Sequence, residues 1–318
     1  MRHSDNTAGR AENYNLNSQS ATMIQTKFIF LAALLVLLAV GVLPAEARSS
    51  GGEELQDDVS LSSQVQAGSK TTYFDLLREL FPDLRRDDAA AHKTVALRSL
   101  SEPRKREAIE GDIKFEFKPY RFNSGGRRLL LLWVNLKSDA ANEGTPYEGE
   151  AEVLAVFAME PRARMLDALE VKTDRFTGFW EDRPVFRLDQ RNDAFIVYST
   201  HWNAGESYMN VEMLFVDAGR LKTITSLFLY ETQGCGSNYT EKPEFRAVAG
   251  SAGEYPNVLV RVKLTKGPDE ESCERRSRSF TRYYQGLYRW NPSKGRYESN
   301  SPRLDQLDKF NEKRVSSP

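Results

Sequence analysis

The chain has 318 residues, 45 acidic against 44 basic, and is 40% hydrophobic and 11% aromatic. Charges that nearly cancel exclude a global field that would draw it to nucleic acid or to an anionic membrane. The apolar content supports a real core, and the length fits one large domain or two small ones.

Residues 1–22 are polar and too long for an ordinary signal-peptide start, so they are read as a non-native extension, with Met23 as the true first residue. Residues 28 to 43 are apolar without a break. As a helix that run covers roughly 24 Å, short of the roughly 30 Å hydrocarbon core. Lys27 precedes it, Pro44 ends it, and Ala45-Glu46-Ala47 puts small residues at the two positions a signal peptidase reads. A positive start, an apolar middle and an A-x-A end are the layout of a secretory signal peptide over residues 23–47. The expected location is periplasmic or secreted, with no transmembrane span after cleavage. The alternative is an uncleaved leader serving as a membrane anchor.

Residues 48–70 are rich in Ser, Gly, Gln and acids and read as a flexible linker. TTYFDLLRELFPDL then gives a helical lead-in over residues 71–111. Thr72 and Asp75 have capping-box spacing, Tyr73, Leu76, Leu77, Leu80 and Leu84 form one apolar stripe, and Pro82 should end or kink the helix.

A β-domain follows over residues 112–300. Ile113, Phe115 and Phe117 alternate with charge in DIKFEFK, and RLLLLWVNL after the turn at 123–126 is apolar on both faces. EVLAVFAME and MLDALEV form a second hairpin, although MLDALEV also fits a helix. VFRLD and AFIVYSTHW flank the turn at 190–193, and YMNVEMLFV and LKTITSLFLYE flank Asp217-Ala218-Gly219. Met209, Val211, Met213 and Phe215 share a face. NVLVRVKLT turns Val258, Val260, Val262 and Leu264 inward. SFTRYYQGLYRW and RYE make a terminal hairpin. Ser301 as N-cap, Pro302 at the first helical position, and a Leu304, Leu307 and Phe310 stripe place a C-terminal helix in residues 301–318. About ten strands in sequential hairpins predict a mainly β fold, an antiparallel meander forming a sandwich or open barrel. A small irregular propeller is the alternative, but no signature residues recur.

Two cysteines, Cys235 and Cys273, in an exported chain favour one disulfide. It would close a loop of about 39 residues, worth on the order of 4 kcal/mol in the chain-entropy model. No His lies between them, and only His92 and His201 follow the leader, so a three-His metal site cannot form within one chain and H-E-x-x-H is absent. P-loop, G-x-S-x-G and G-x-G-x-x-G patterns are also absent. No metal and no cofactor are expected. Asp189, Asn192 and Asp193 crowd one turn, yet the Gly and distal Glu of a calcium loop are missing, so a hairpin turn is expected there.

Three stretches hold chemistry. In THWNAGESYMN, His201 and Glu206 flank a hairpin tip and would share a proton if they met, as general acid–base work requires, while Trp202 and Tyr208 would stack on a sugar ring. Plain turn chemistry with covering aromatics explains the same residues. In FTGFWEDRP, Glu181 and Asp182 adjoin Phe179 and Trp180, but neighbours on an extended chain point apart, whereas glycoside hydrolysis needs carboxyls about 5 to 9 Å apart across a cleft. In CERRSRSFTRYYQGLYRW, Arg282, Tyr284 and Trp290 belong to a basic and aromatic strand suited to an anionic polysaccharide, or merely to pairing with the acids at 269–271. No catalytic residue is assigned beyond the weak pair His201 and Glu206.

The expected function is therefore an exported non-enzymatic β-domain that binds a glycan or protein partner in the cell envelope, without nucleic acid. The alternatives are a hydrolase of envelope polysaccharide and a structural envelope protein with no small ligand.

Overall fold

The computed structural model describes residues 59–87, 90–102, 104–138, 150–203, 205–234, 238–250, 255–268 and 278–315. The leader, Cys235 and Cys273, and the acidic turn at 269–271 lie outside them. Helix α1 spans Tyr73–Leu80. It starts in a reciprocal capping box: Asp75 accepts from the Thr72 backbone at 2.8 Å, and Thr72 Oγ1 accepts from the Asp75 backbone at 3.4 Å. It ends before Pro82.

Among the described residues, the expected helical lead-in holds only this one helix. Three short strands follow it, β1 (Ala91–Lys93), β2 (Leu97–Ser99) and β3 (Arg106–Glu107). The end of the expected linker is ordered as well, with Gln64 bridged to Thr72 and Val65 buried.

Strands β4 (Glu110–Ser124), β5 (Arg127–Ser138), β6 (Glu150–Ala158) and β7 (Arg164–Glu170) complete a first sheet, in the order β1-β4-β5-β6-β7-β2-β3. Every pairing in it is antiparallel except β2 with β7. MLDALEV is thus strand. Tyr73, Leu76, Leu77 and Leu80 of α1 cover one face of this sheet, against Ile113, Leu130, Leu132 and Phe157. Fully buried Leu77 contributes about 1.5–3 kcal/mol of transfer free energy. The opposite face packs on a second sheet through Phe122, Leu131, Val156, Phe195, Val197 and Leu214. A sheet covered on both sides has no solvent face, which explains why RLLLLWVNL and EVLAVFA do not alternate.

The second sheet comprises β8 (Phe176–Phe179), β9 (Phe186–Arg187), β10 (Asp193–Asn203), β11 (Glu206–Asp217), β12 (Arg220–Thr232), β13 (Tyr239–Val248), β14 (Asn257–Lys266), β15 (Phe280–Asn291) and β16 (Arg296–Ser299). Its order is β16-β15-β14-β13-β12-β11-β10-β8, with β9 also on β10. It curls into a half-barrel. Val211, Met213 and Phe215 line its inside with Val258, Val260, Val262 and Tyr297. The architecture is mainly β and antiparallel, as the hairpin pattern predicts.

Helix α2 (Arg303–Val315) closes the half-barrel. The Arg303 backbone donates to Ser301 Oγ at 3.3 Å, and Leu304 and Leu307 enter the core. The helix sits where the sheet is split. β12 and β13 pair only at Thr232 and Tyr239. Beyond that point, side chains replace the ladder. The Phe228 N–H donates to Asp308 at 3.3 Å, its carbonyl accepts from Asn311 at 3.0 Å, and the Tyr230 N–H donates to Glu241 at 3.2 Å.

Two polar clasps join the sheets. At one, Asp193 Oδ2 accepts from the Asn123 backbone at 2.7 Å, while Arg187 lies 2.7 Å from its other oxygen. The Ser124 hydroxyl donates to the Val216 carbonyl at 2.8 Å, and Asn192 accepts from the Gly125 backbone at 2.9 Å. The oxygens of the turn at 189–193 are thereby taken up by N–H donors, including those of Arg191 and Asn192 on Asp189. At the other clasp, Arg98 pairs with Asp167, which accepts from the Leu221 backbone at 2.8 Å.

Candidate functional site

The tip of the β10–β11 hairpin turns on Gly205, whose φ of +94° is a left-handed conformation that glycine adopts without strain. His201 lies opposite Tyr208 and Trp202 opposite Ser207. Successive residues of a strand face opposite ways, so the tip has two different surfaces.

The convex surface carries His201, Glu206, Tyr208 and Tyr230. His201 Nδ1 is 3.1 Å from Asp174 Oδ1, with the side chains 27% and 25% exposed. Its ring stands edge-on to Tyr208, centroids 5.9 Å apart. Glu206 accepts the hydroxyl of Tyr208 at 2.5 Å and that of Tyr230 at 2.7 Å. Those two bonds hold its carboxyl below the usual range. Reciprocally, the bond to Glu206 pushes Tyr208 up to about 12, and burial, helped by the same carboxylate, raises Tyr230.

His201 and Glu206 thus share a face but have separate partners, and the expected proton sharing between them is replaced by an Asp174–His201 pair and a Tyr–Glu–Tyr clamp. A carboxylate that accepts from Nδ1–H fixes the tautomer and leaves Nε2 as an acceptor, the orientation a general base needs.

On the other surface Trp202 is 68% exposed, and Phe176, 57% exposed, lies opposite Thr200 on that same face. Trp202 and Tyr208 therefore cannot grip one ligand from one side. The basic and aromatic strand is β15. Its alternation puts Arg282, Tyr284 and Trp290 on one face. Arg282 lies 4.7 Å over the Phe280 ring, and Tyr284 packs against the half-barrel core. Trp290 is enclosed by Tyr255 at 4.9 Å, Phe215 at 5.6 Å and Tyr297 at 5.6 Å, so it serves the core.

Glu181 and Asp182 sit exposed in a one-turn 3-10 helix, each with a positive φ, and Trp180 stands edge-on to Tyr198. Among the described residues no group of three or more His, Cys, Asp or Glu is placed to hold a metal, and no helix is long and apolar enough to cross a membrane.

Sequence reasoning passed over Asp174 and Tyr230, which complete the convex cluster from distant positions. It also passed over a cleft of about 360 Å³ lined by Arg121, Arg127, Arg128, Leu130, Met159 and Glu160, beside Val65 and Gln66. The run Gly-Gly-Arg-Arg at 125–128 was its only outward signal. Compared with protein-family models, curated proteins and solved structures, the chain matches none.

Proposed function

We propose that the chain is an exported, non-enzymatic β-domain, periplasmic or secreted, that binds a glycan or protein partner in the cell envelope. The observation that carries this reading is the pair of exposed aromatics, Trp202 and Phe176, on one face of a sheet end. Large rings left in water on a rigid β platform are suited to stacking on a sugar or on a partner's apolar anchor. The leader at 23–47 supports export, and a Cys235–Cys273 disulfide belongs to the same reading. The test is co-sedimentation with insoluble envelope polysaccharide and pull-down from an envelope extract. Replacing Trp202 and Phe176 by Ala should abolish retention in one of these assays. Undiminished retention in both would remove the reading.

The Asp174–His201 pair favours a second reading, a hydrolase of envelope polysaccharide in which His201 Nε2 draws a proton from water. Turnover of a polysaccharide panel that disappears in the His201→Ala, Glu206→Ala double variant would favour it over simple binding.

A further inference from the structure

The cleft beside Val65 and Gln66 lies away from the hairpin tip and carries a separate argument. Arg121 faces Leu130 across the β4–β5 pair, and Asn123 faces Arg128. Arg121 and Arg128 are therefore diagonal neighbours on one face of the sheet, roughly 7–8 Å apart. At that spacing two guanidinium groups reach a common point. Arg121 Nη2 donates to the Val65 carbonyl at 3.0 Å, which anchors the guanidinium across the cleft and uses one of its five N–H donors. Arg127, next along the strand, borders the cleft but belongs to the opposite face of the sheet, and Glu160 is the acid among the described lining residues. Leu130 and Met159 supply an apolar wall on the same face, while Arg128 stands exposed at the mouth. The volume of about 360 Å³ has room for one charged sugar ring or a phosphomonoester.

We propose that this cleft is an anion-binding site for an oxyanion, a carboxylate or phosphate group, held by Arg121 and Arg128. A planar fork of donors matches two oxygens of such a group at once. The site stands whether or not Trp202 and Phe176 bind anything.

The experiment is calorimetric titration of the purified protein with inorganic phosphate and, separately, with polygalacturonate. Binding of phosphate marks a phosphorylated ligand, and binding of polygalacturonate alone marks a uronate. In either case Arg128→Glu should weaken binding by about tenfold or more, the scale of one lost charge-assisted pair. Arg128→Lys should lose part of it, because charge remains but the fork is gone, and Trp202→Ala should change nothing. Circular dichroism and melting temperature confirm that the Arg128 variants are folded. Should Arg128→Glu unfold the chain, Arg121→Glu is read in its place. The proposal fails if neither probe binds the wild-type protein, or if a folded charge-reversal variant binds with unchanged affinity.

Discussion

Asn311 donates from Nδ2 to the Glu241 carboxylate at 2.7 Å and to the Phe228 carbonyl at 3.0 Å, so a single helix side chain bridges two strands whose own ladder is a single residue pair. Asn311 and Glu241 are both buried. Arg314 completes the joint, 3.5 Å from Glu241 and 4.1 Å over the Tyr239 ring. Burial lifts the Glu241 carboxyl to about 7, against the opposing pull of Asn311, the Tyr230 amide and Arg314.

Asn311→Ala should therefore cost more than an ordinary lost hydrogen bond. It leaves the part-buried Phe228 carbonyl without its side-chain donor and the buried Glu241 carboxyl with one donor fewer, for about 2–4 kcal/mol. Urea unfolding measures this. A loss below about 0.5 kcal/mol, the size of a neutral surface change, would mean that α2 does not seal the split.

Asp193 plays the matching part between the sheets. Asp193→Ala strips a partner from half-buried Arg187 and from the Asn123 backbone at once. Breaking a buried pair from one side typically costs about 3–5 kcal/mol. Changing Arg187 to Met together with Asp193→Ala should recover part of that loss, which a double-mutant cycle reads directly.

The contribution of four buried carboxyls to stability should fall as pH rises from acid toward neutral. Burial raises Glu152, Glu212 and Glu241 to about 7 and Asp308 to about 6, whereas in the unfolded chain these groups ionise near 4. The native state then holds more protons than the unfolded one between those values. Their contribution is complete below the unfolded pKa and is lost as pH rises through the folded pKa. Glu212→Gln tests one of them. Its melting temperature should exceed that of the wild-type protein at pH 8 and match it at pH 4. Parallel curves for the two proteins would contradict the assignment.

The turn joining β11 to β12 offers a change in the opposite direction. Ala218 and Gly219 have φ of +49° and +80°, the two-residue turn in which both residues are left-handed. Glycine fits there, but an alanine is strained. Ala218→Asn, at an exposed position, should stabilise by about 0.5–1 kcal/mol in thermal unfolding.

Much of this fold is legible in short-range pattern. Val258, Val260, Val262 and Leu264 are fully buried on the inward face their alternation marks. The Thr72–Asp75 cap and the Leu304–Leu307 stripe are equally local. Strand β13 is not legible, because TEKPEFRAV is charged and interrupted by Pro243. That proline is tolerated because the edge of β13 toward β12 makes almost no ladder bonds. The site is legible only in part. The exposure of Trp202 and its separation from Tyr208 follow from hairpin register. Asp174 reaches His201 from 27 positions upstream, and Arg121 reaches the neighbourhood of Arg128 only once β4 and β5 are aligned. Such meetings depend on tertiary alignment, which periodicity does not encode.

With β12 and β13 joined at one residue pair, the second sheet is mechanically two leaves on a single hinge. The wedge between them is α2, and the bulk of its inward side chains fixes how far the leaves stand open. A larger residue at Leu307 would spread them and a smaller one would let them close, so the curvature of the barrel is adjustable from a single helix without touching a strand.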